Sequence, residues 1–494
     1  MGRGTLYLMV ANGFFVLAGY LIHFGLGRYL GPAGYGVFGV VLAMMTNVST
    51  ILTAGFPQGA ARYIAEDSSR TAGVVRAANR IQLVSGLLIT GLYFSLAGVI
   101  AELLNNPSLA PYIRLSALAV PAYAFFSVYN AGYLNGLRDF GRQALSSLAS
   151  SAAKIILVLV FLLLGLGVMG AILGYILAAA VGLLLSWRLV NLSAAPQSDF
   201  RWQRLAGFGL PATTFALAFL LLLSIDLLAV QALGASETEV GYYAAAGTIS
   251  RVSYFVFLGL AATLLPSISR STARLDVELT RSYIRQAMRY MLMLLAPAVL
   301  LISATAGDLL ALVYSSGYAG AAGPLGVLVF GLALLSIFFV LANVIMGAGQ
   351  PRVVLGMTLP LVAIDIGLNV LLIPPYGLTG AAWATTISGF LGMSAATVYV
   401  LRRFGTLVNP KSLARIGLAA AVVYALATRV PYSPWLPLIY ASLFLGYAGL
   451  LWLIREITRE DLVIIGRMLP LDNLRRVGRT GRILKEFSEL RRSR

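Results

Sequence analysis

Apolar runs of about twenty residues, punctuated by glycine, proline and charge, recur along almost the whole chain, the pattern expected where helices cross roughly 30 Å of hydrocarbon. Fourteen such runs stand near residues 6–28, 36–61, 81–100, 112–135, 143–165, 168–187, 207–233, 241–266, 287–306, 324–347, 353–373, 378–400, 412–429 and 435–454. They predict an all-α integral membrane protein of about 14 transmembrane helices. The basic residues orient it. With the N-terminus in the cytoplasm, 31 of the 36 Lys and Arg fall on the inner side, 3 on the outer side (Arg28, Arg114, Arg429) and 2 within spans (Lys154, Arg251). Basic loops stay cytoplasmic, and one missed helix would invert every later loop, so the asymmetry favours an even number of spans. The expectation is a multi-pass plasma-membrane protein with both termini cytoplasmic.

Composition agrees. Of 494 residues 59% are apolar and 11% charged, and mean hydropathy is +0.87, which no water-soluble domain of this size carries. The net charge of +18 is almost all arginine. It reads as orientation signal and head-group contact rather than nucleic-acid binding. Cysteine is absent and histidine occurs once, which removes thiolate sites and argues against any metal centre. The N-terminus MGRGTLYLMV runs into the first apolar stretch without a cleavage motif, so the first span reads as retained. After residue 455 the chain becomes a basic tail with apolar residues at helical spacing. It suits helices lying on anionic head groups of the inner leaflet, N-capped at Thr458 and Asp472, or an orientation signal with a disordered end.

The chain also contains a duplication. RYLGPAGYGVF between spans one and two matches QALGASETEVGYY between spans seven and eight: Leu-Gly, a polar turn, then Gly and an aromatic. Span two ends in GFPQGAARY and span eight in LLPSISRST. Gly136 to Lys154 and Gly347 to Asp365 are both 18 residues, and the next glycine turns follow at 13 and 12. Six spans therefore match the next six in the same orientation, which predicts two six-helix lobes related by a pseudo-twofold along the membrane normal and facing a central cavity. The divisions are 1–190 for the first lobe, 191–206 for a cytoplasmic linker, 207–401 for the second lobe, 402–455 for two appended spans and 456–494 for the tail.

The segments LGPAGYGVFGVV, AGFPQGAARYIAE, EVGYYAAAGTISR, LLPSISR, GAGQPRVVLGMTLPLVAIDIGLNVLLIP and YGLTGAAWATTIS resemble the polysaccharide-repeat flippases of the multidrug/oligosaccharidyl-lipid/polysaccharide (MOP) exporter superfamily, over roughly residues 5–400. The resemblance implies a MATE-like two-lobe fold and alternating access without ATP. Its implied substrate is a lipid-linked oligosaccharide turned from the inner to the outer leaflet, and its closest branches are lipid II flippases and drug/cation antiporters. A monomer is the expected state.

Ionisable side chains within spans cost about 3 kcal/mol or more to insert, so each is a functional candidate. His23, Lys154, Asp226, Arg251 and Asp365 qualify. Asp226 and Arg251 lie at similar depth, either as a satisfied ion pair or as a substrate site in which Arg251 meets a diphosphate. Lys154 and Asp365 are repeat-equivalent and are expected to line the cavity, where they would clasp in one state and part in the other; the alternative, Lys154 snorkelling to the interface, fits its depth poorly. Asp365, with Asp226, is the candidate coupling site for H⁺ or Na⁺, and no other cofactor is implied. A lone histidine is more often a packing residue than a relay. An enzyme would want an acidic pair or metal and an extramembrane domain, and a P-loop is impossible because no lysine follows a glycine.

Overall fold

The structure is a computed structural model that describes residues 3–190, 199–429, 435–458 and 461. The first half comprises α1 (Arg3–Thr53), α2 (Gly55–Glu66), α3 (Thr71–Ser95), α4 (Ala97–Leu103), α5 (Ala110–Ala117), α6 (Ala119–Ser127), a π-helical turn Val128–Leu134, α7 (Phe140–Leu163) and α8 (Gly167–Leu189). The second comprises α9 (Trp202–Leu222), α10 (Ile225–Ala232), α11 (Glu237–Ser250), α12 (Val252–Ala273), α13 (Val277–Ala304), α14 (Ala306–Val313), α15 (Ala322–Gly347) and α16 (Pro351–Phe404). Then follow α17 (Pro410–Ala427) and α18 (Leu436–Leu453), with no strand among the described residues.

Among the described residues eleven helical stretches are long and apolar enough to cross a bilayer, twelve if the pair bent by 55° between Ser95 and Ala97 counts as one. Two of them, Tyr7–Glu66 at 60 residues and Pro351–Phe404 at 54, are far longer than the roughly 20 residues one crossing needs. Each contains a glycine with non-helical backbone: Gly31 (φ 68, ψ 178) before Pro32, and Gly377 (φ 57, ψ −138) after Pro374 and Pro375. Both are glycine turns used in the repeat, Gly31 matched to the turn at Gly234 and Gly377 to that at Gly167, and there the chain breaks at one residue instead of forming a loop. Other helix ends follow from side chains. Asp139 and Asp276 accept the amides of Arg142 and Leu279, and Ser236 and Glu239 form a reciprocal capping box at the start of α11. The cap at Asp276 starts α13 ten residues before the apolar run, and α9 already begins at Trp202, inside the stretch read as linker. Residues 191–198 of that linker, and Asp472 in the tail, lie outside the described residues.

Helix α1 packs on α7 and α11, α7 on α8, α15 on α12 and α16, and α13 on α17. The halves cross closely where α1 resumes after Gly31. A Cβ on Gly241 would sit 1.8 Å from the Pro32 carbonyl oxygen, and one on Gly36 would sit 2.4 Å from that of Glu237, so two backbones touch where larger residues would hold them apart. They touch again at the far end of the span, where the Gly55 amide donates to Thr213 Oγ1 at 3.1 Å. Behind α18, Arg289 binds Glu456 (Nε–Oε1 2.8 Å) and Asp461 (Nη2–Oδ2 2.9 Å), and Tyr290 donates to Asp461 Oδ1 at 2.6 Å. Thr458 Oγ1 accepts the Asp461 amide, the N-cap geometry expected of Thr458.

Candidate functional site

Between the halves lies a cavity of about 560 Å³ walled by α1, α6, α7, α8, α9, α10, α11 and α15. His23, Lys154, Asp226 and Arg251 all line it. An aromatic cluster closes the end nearest Gly31. Tyr35 Oη meets His23 Nδ1 at 2.9 Å, Thr248 Oγ1 at 2.9 Å and Tyr314 Oη at 3.2 Å, joining α1 to α11 and to the residue after α14. Tyr318 packs at a tilt on Tyr314 with centroids 4.8 Å apart and donates to the Gly27 carbonyl at 2.7 Å. Beside them Arg28 Nε donates to the Val313 carbonyl at 2.9 Å, and its guanidinium also reaches that of Leu312. An arginine from the first half thus caps the C-terminal end of α14 in the second, a favourable pairing of cation and helix dipole. Toward the opposite face Thr46, Thr50 and Thr53 line the cavity and keep accessible surface.

The charged residues are not paired as the sequence suggested. Asp226 Oδ2 accepts from Tyr243 Oη at 2.8 Å and Thr385 Oγ1 at 3.1 Å, and Oδ1 accepts from the Leu227 amide at 2.8 Å. Arg251 Nη2 donates instead to the Leu223 carbonyl at 2.6 Å. Similar depth brought Asp226 and Arg251 to one wall, but the break between α9 and α10 offers Arg251 a carbonyl, and Tyr243 and Thr385 claim the carboxylate. Lys154 and Asp365 do not clasp either. Lys154 Nζ lies 4.9 Å from the Phe15 ring centroid and 4.8 Å from that of Tyr175. Asp365 is fully buried and is not part of the cavity wall. Its carboxylate has the Ser388 hydroxyl as a hydrogen-bonding neighbour, Asn369 Oδ1 beside it lacks a partner, and Asn369 Nδ2 donates to the Asp365 carbonyl at 2.9 Å. Repeat equivalence fixes depth along a helix. It does not fix which way a side chain faces, and here Asp365 turns into the second half.

Among the described residues no ion pair includes Lys154 or Arg251 and no group of His, Asp and Glu could hold a metal. The cavity therefore presents two cations, one from each half, beside a carboxylate already satisfied by three donors. Sequence reading missed Tyr35, Tyr243 and Tyr314. The first two sit in the Gly-aromatic motifs that marked the repeat, and Tyr35 and Tyr242, the aromatics directly after the matching glycines, both pack on Tyr318.

Residues 1–272 match the family model described as polysaccharide biosynthesis protein. The chain belongs to that family. A curated relative similar to it is the probable low-salt glycan biosynthesis flippase Agl15 of Haloferax volcanii, 24% identical over 153 residues, which are 31% of this chain and 32% of that protein. Among solved structures, the lipid II flippase MurJ in an inward closed conformation superposes with a TM-score of 0.74 at 14% identity, covering 92% of this chain and 99% of that one. An inward-facing multidrug resistance MATE family transporter of the MOP superfamily gives 0.62 at 20% identity, covering 82% and 95%. The chain thus has the fold shared by MurJ and the MATE transporter, with its long apolar helices of membrane-spanning length.

Proposed function

We propose that this protein moves a polyprenyl-diphosphate-linked oligosaccharide from the cytoplasmic to the outer leaflet of the plasma membrane by alternating access. The observation that carries the reading is the pair of cations that the two halves contribute to one cavity, Lys154 on α7 and Arg251 between α11 and α12, neither in an ion pair among the described residues. A diphosphate accepts charge-assisted hydrogen bonds from both, so binding it draws the halves together. Asp226, held by Tyr243, Thr385 and the Leu227 amide, repels the anion less than a bare carboxylate would, and His23 borders the same space beneath Tyr35. Gly31 and Gly377 each divide a double-length helix, which supports fourteen crossings, and the sequence repeat supports two equivalent six-span lobes related by a pseudo-twofold. With the basic loops and both termini inside, the Tyr35 cluster is the closed outer gate and Thr46 to Thr53 face the cytoplasm, so the structure is the inward-facing state. The basic tail lies on anionic head groups of the inner leaflet, and one copy of the chain suffices for transport.

Coupling is assigned to the buried pair Asp226 and Asp365. The buried Asp365 carboxylate beside the Ser388 hydroxyl, with the partnerless Asn369 Oδ1 next to it, supplies oxygens that a bound Na⁺ or a proton would meet. Binding measurements with the purified protein test the substrate reading. Polyprenyl diphosphate is expected to bind more tightly than the monophosphate, and Lys154→Met and Arg251→Met are each expected to erase most of the difference; equal binding of both lipids by all three proteins would refute it. A lipid II-type substrate is the second reading, favoured by the extent of the MurJ superposition, and it uses the same diphosphate site.

A further inference from the structure

We propose that Phe15 and Tyr175 form an aromatic clamp that keeps the Lys154 ammonium charged and aimed into the cavity in the absence of any acidic partner, with Tyr175 as the positioning residue. The inference rests on the substrate reading above, and deepens it by saying how an unpaired cation is held. Three elements meet at this point: Lys154 from the middle of α7, Phe15 from the first part of α1 and Tyr175 from α8. All three side chains line the cavity, and the ammonium is within 5 Å of both ring centroids. An aliphatic wall would leave a buried ammonium with nothing to replace its hydration. Ring faces carry negative electrostatic potential and attract a cation without neutralising its charge. A carboxylate partner would neutralise the charge and compete with an anionic substrate. Two rings do neither.

The two rings differ in what holds them. Phe15 is 50% exposed, whereas Tyr175 is 6% exposed and rests edge-on against Phe38, centroids 5.8 Å apart at 64°. Phe38 in turn lies 6.2 Å from Tyr35 and 5.9 Å from His23. The fixed ring is therefore Tyr175, continuous with the aromatic cluster that closes the cavity, and Phe15 is the exposed side of the clamp. Because the phenol face rather than its hydroxyl makes the contact, Tyr175→Phe retains the function and Tyr175→Leu loses it.

The test uses the full-length protein and two readouts. The chain has three lysines, Lys154, Lys411 and Lys485, so acetylation by a water-soluble N-hydroxysuccinimide ester, followed by mass spectrometry, reports Lys154 against two internal references. Tyr175→Leu and Phe15→Leu are expected to raise Lys154 acetylation several-fold over Lys411 and Lys485, and Tyr175→Phe to leave it unchanged. Inorganic pyrophosphate, titrated calorimetrically, is the second probe. Each Leu variant is expected to weaken its binding by about five- to thirtyfold, the range from a partly exposed to a desolvated cation–π contact, and Tyr175→Leu to have no further effect in a Lys154→Met background. Unchanged Lys154 acetylation in both Leu variants overturns the clamp, as does an equal loss of pyrophosphate binding from Tyr175→Leu with and without Lys154. If wild type fails to bind pyrophosphate while the acetylation pattern holds, the clamp stands and the diphosphate reading fails.

Discussion

Tyr35→Phe removes one hydroxyl from the centre of the gate and nothing else. That oxygen contacts His23 Nδ1, Thr248 Oγ1 and Tyr314 Oη, and as a phenol it can serve one acceptor and two donors. Thr248 and Tyr314 belong to the second half, so both contacts break when the outer end opens. With a net value of about 1 kcal/mol per hydrogen bond, losing the two contacts that cross between halves costs the closed gate about 2 kcal/mol, which raises the open population about 30-fold. The absence of cysteine makes the measurement direct. A single Ala43→Cys reporter, on the cavity wall below the gate, is exposed to an impermeant maleimide added outside right-side-out vesicles. The labelling rate tracks the outward-open population and is expected to rise by about that factor when Tyr35→Phe is added. An unchanged rate would show that the hydroxyl contacts do not hold the gate and would refute the assignment of this end as outer gate.

Gly241→Ala sets a methyl against the Pro32 carbonyl oxygen and, at the roughly 1–3 kcal/mol of an overpacked contact, is expected to increase the same Ala43→Cys labelling; Gly247→Ala, with open space around its Cβ, is expected to leave it alone. Asp365→Asn removes the buried charge at constant shape, so thermal stabilisation by NaCl over choline chloride, or by acid if the coupling ion is H⁺, is expected in wild type and absent in the variant. Lys154→Met and Arg251→Met are each expected to weaken polyprenyl-diphosphate binding about 10- to 100-fold, the value of a charge-assisted hydrogen bond of roughly 1.5–3 kcal/mol. Burial raises the Asp461 pKa, but hydrogen bonds from Arg289, Tyr290 and Thr458 outweigh it and hold the group below the usual carboxylate range. A depressed carboxylate contributes stability above its unfolded value of about 4 and loses it only as pH falls further. Limited trypsin cleavage after Arg455 is therefore expected to stay slow from pH 8 down to pH 5 in wild type and to be fast throughout in Asp461→Asn.

Much of the fold was legible because the bilayer imposes length and apolarity on every crossing, and the two glycine breaks at 31 and 377 were visible as turns before any coordinates. The candidate residues were legible for a related reason: ionisable side chains among apolar neighbours are rare enough to stand out, and four of the five do border the cavity. Their partners were not. Asp226 finds Thr385, 159 residues away, and Lys154 finds rings from two other helices. Neither contact leaves a trace in local spacing, because helix rotation decides them and the rotation is set by packing of the whole bundle. Tyr35 and Tyr243 were hidden differently. They were read as punctuation of a repeat, when Tyr35 also closes the cavity and Tyr243 also holds the Asp226 carboxylate.

The most direct measurement reconstitutes the protein in liposomes with a fluorescent polyprenyl-diphosphate oligosaccharide in the inner leaflet and follows its accessibility to an external quencher. Transport through a site built on Lys154 and Arg251 requires label to become accessible with wild type, at rates at least tenfold slower with either Met variant. No movement of the lipid-linked glycan, together with efflux of a cationic dye from the same vesicles, would contradict it.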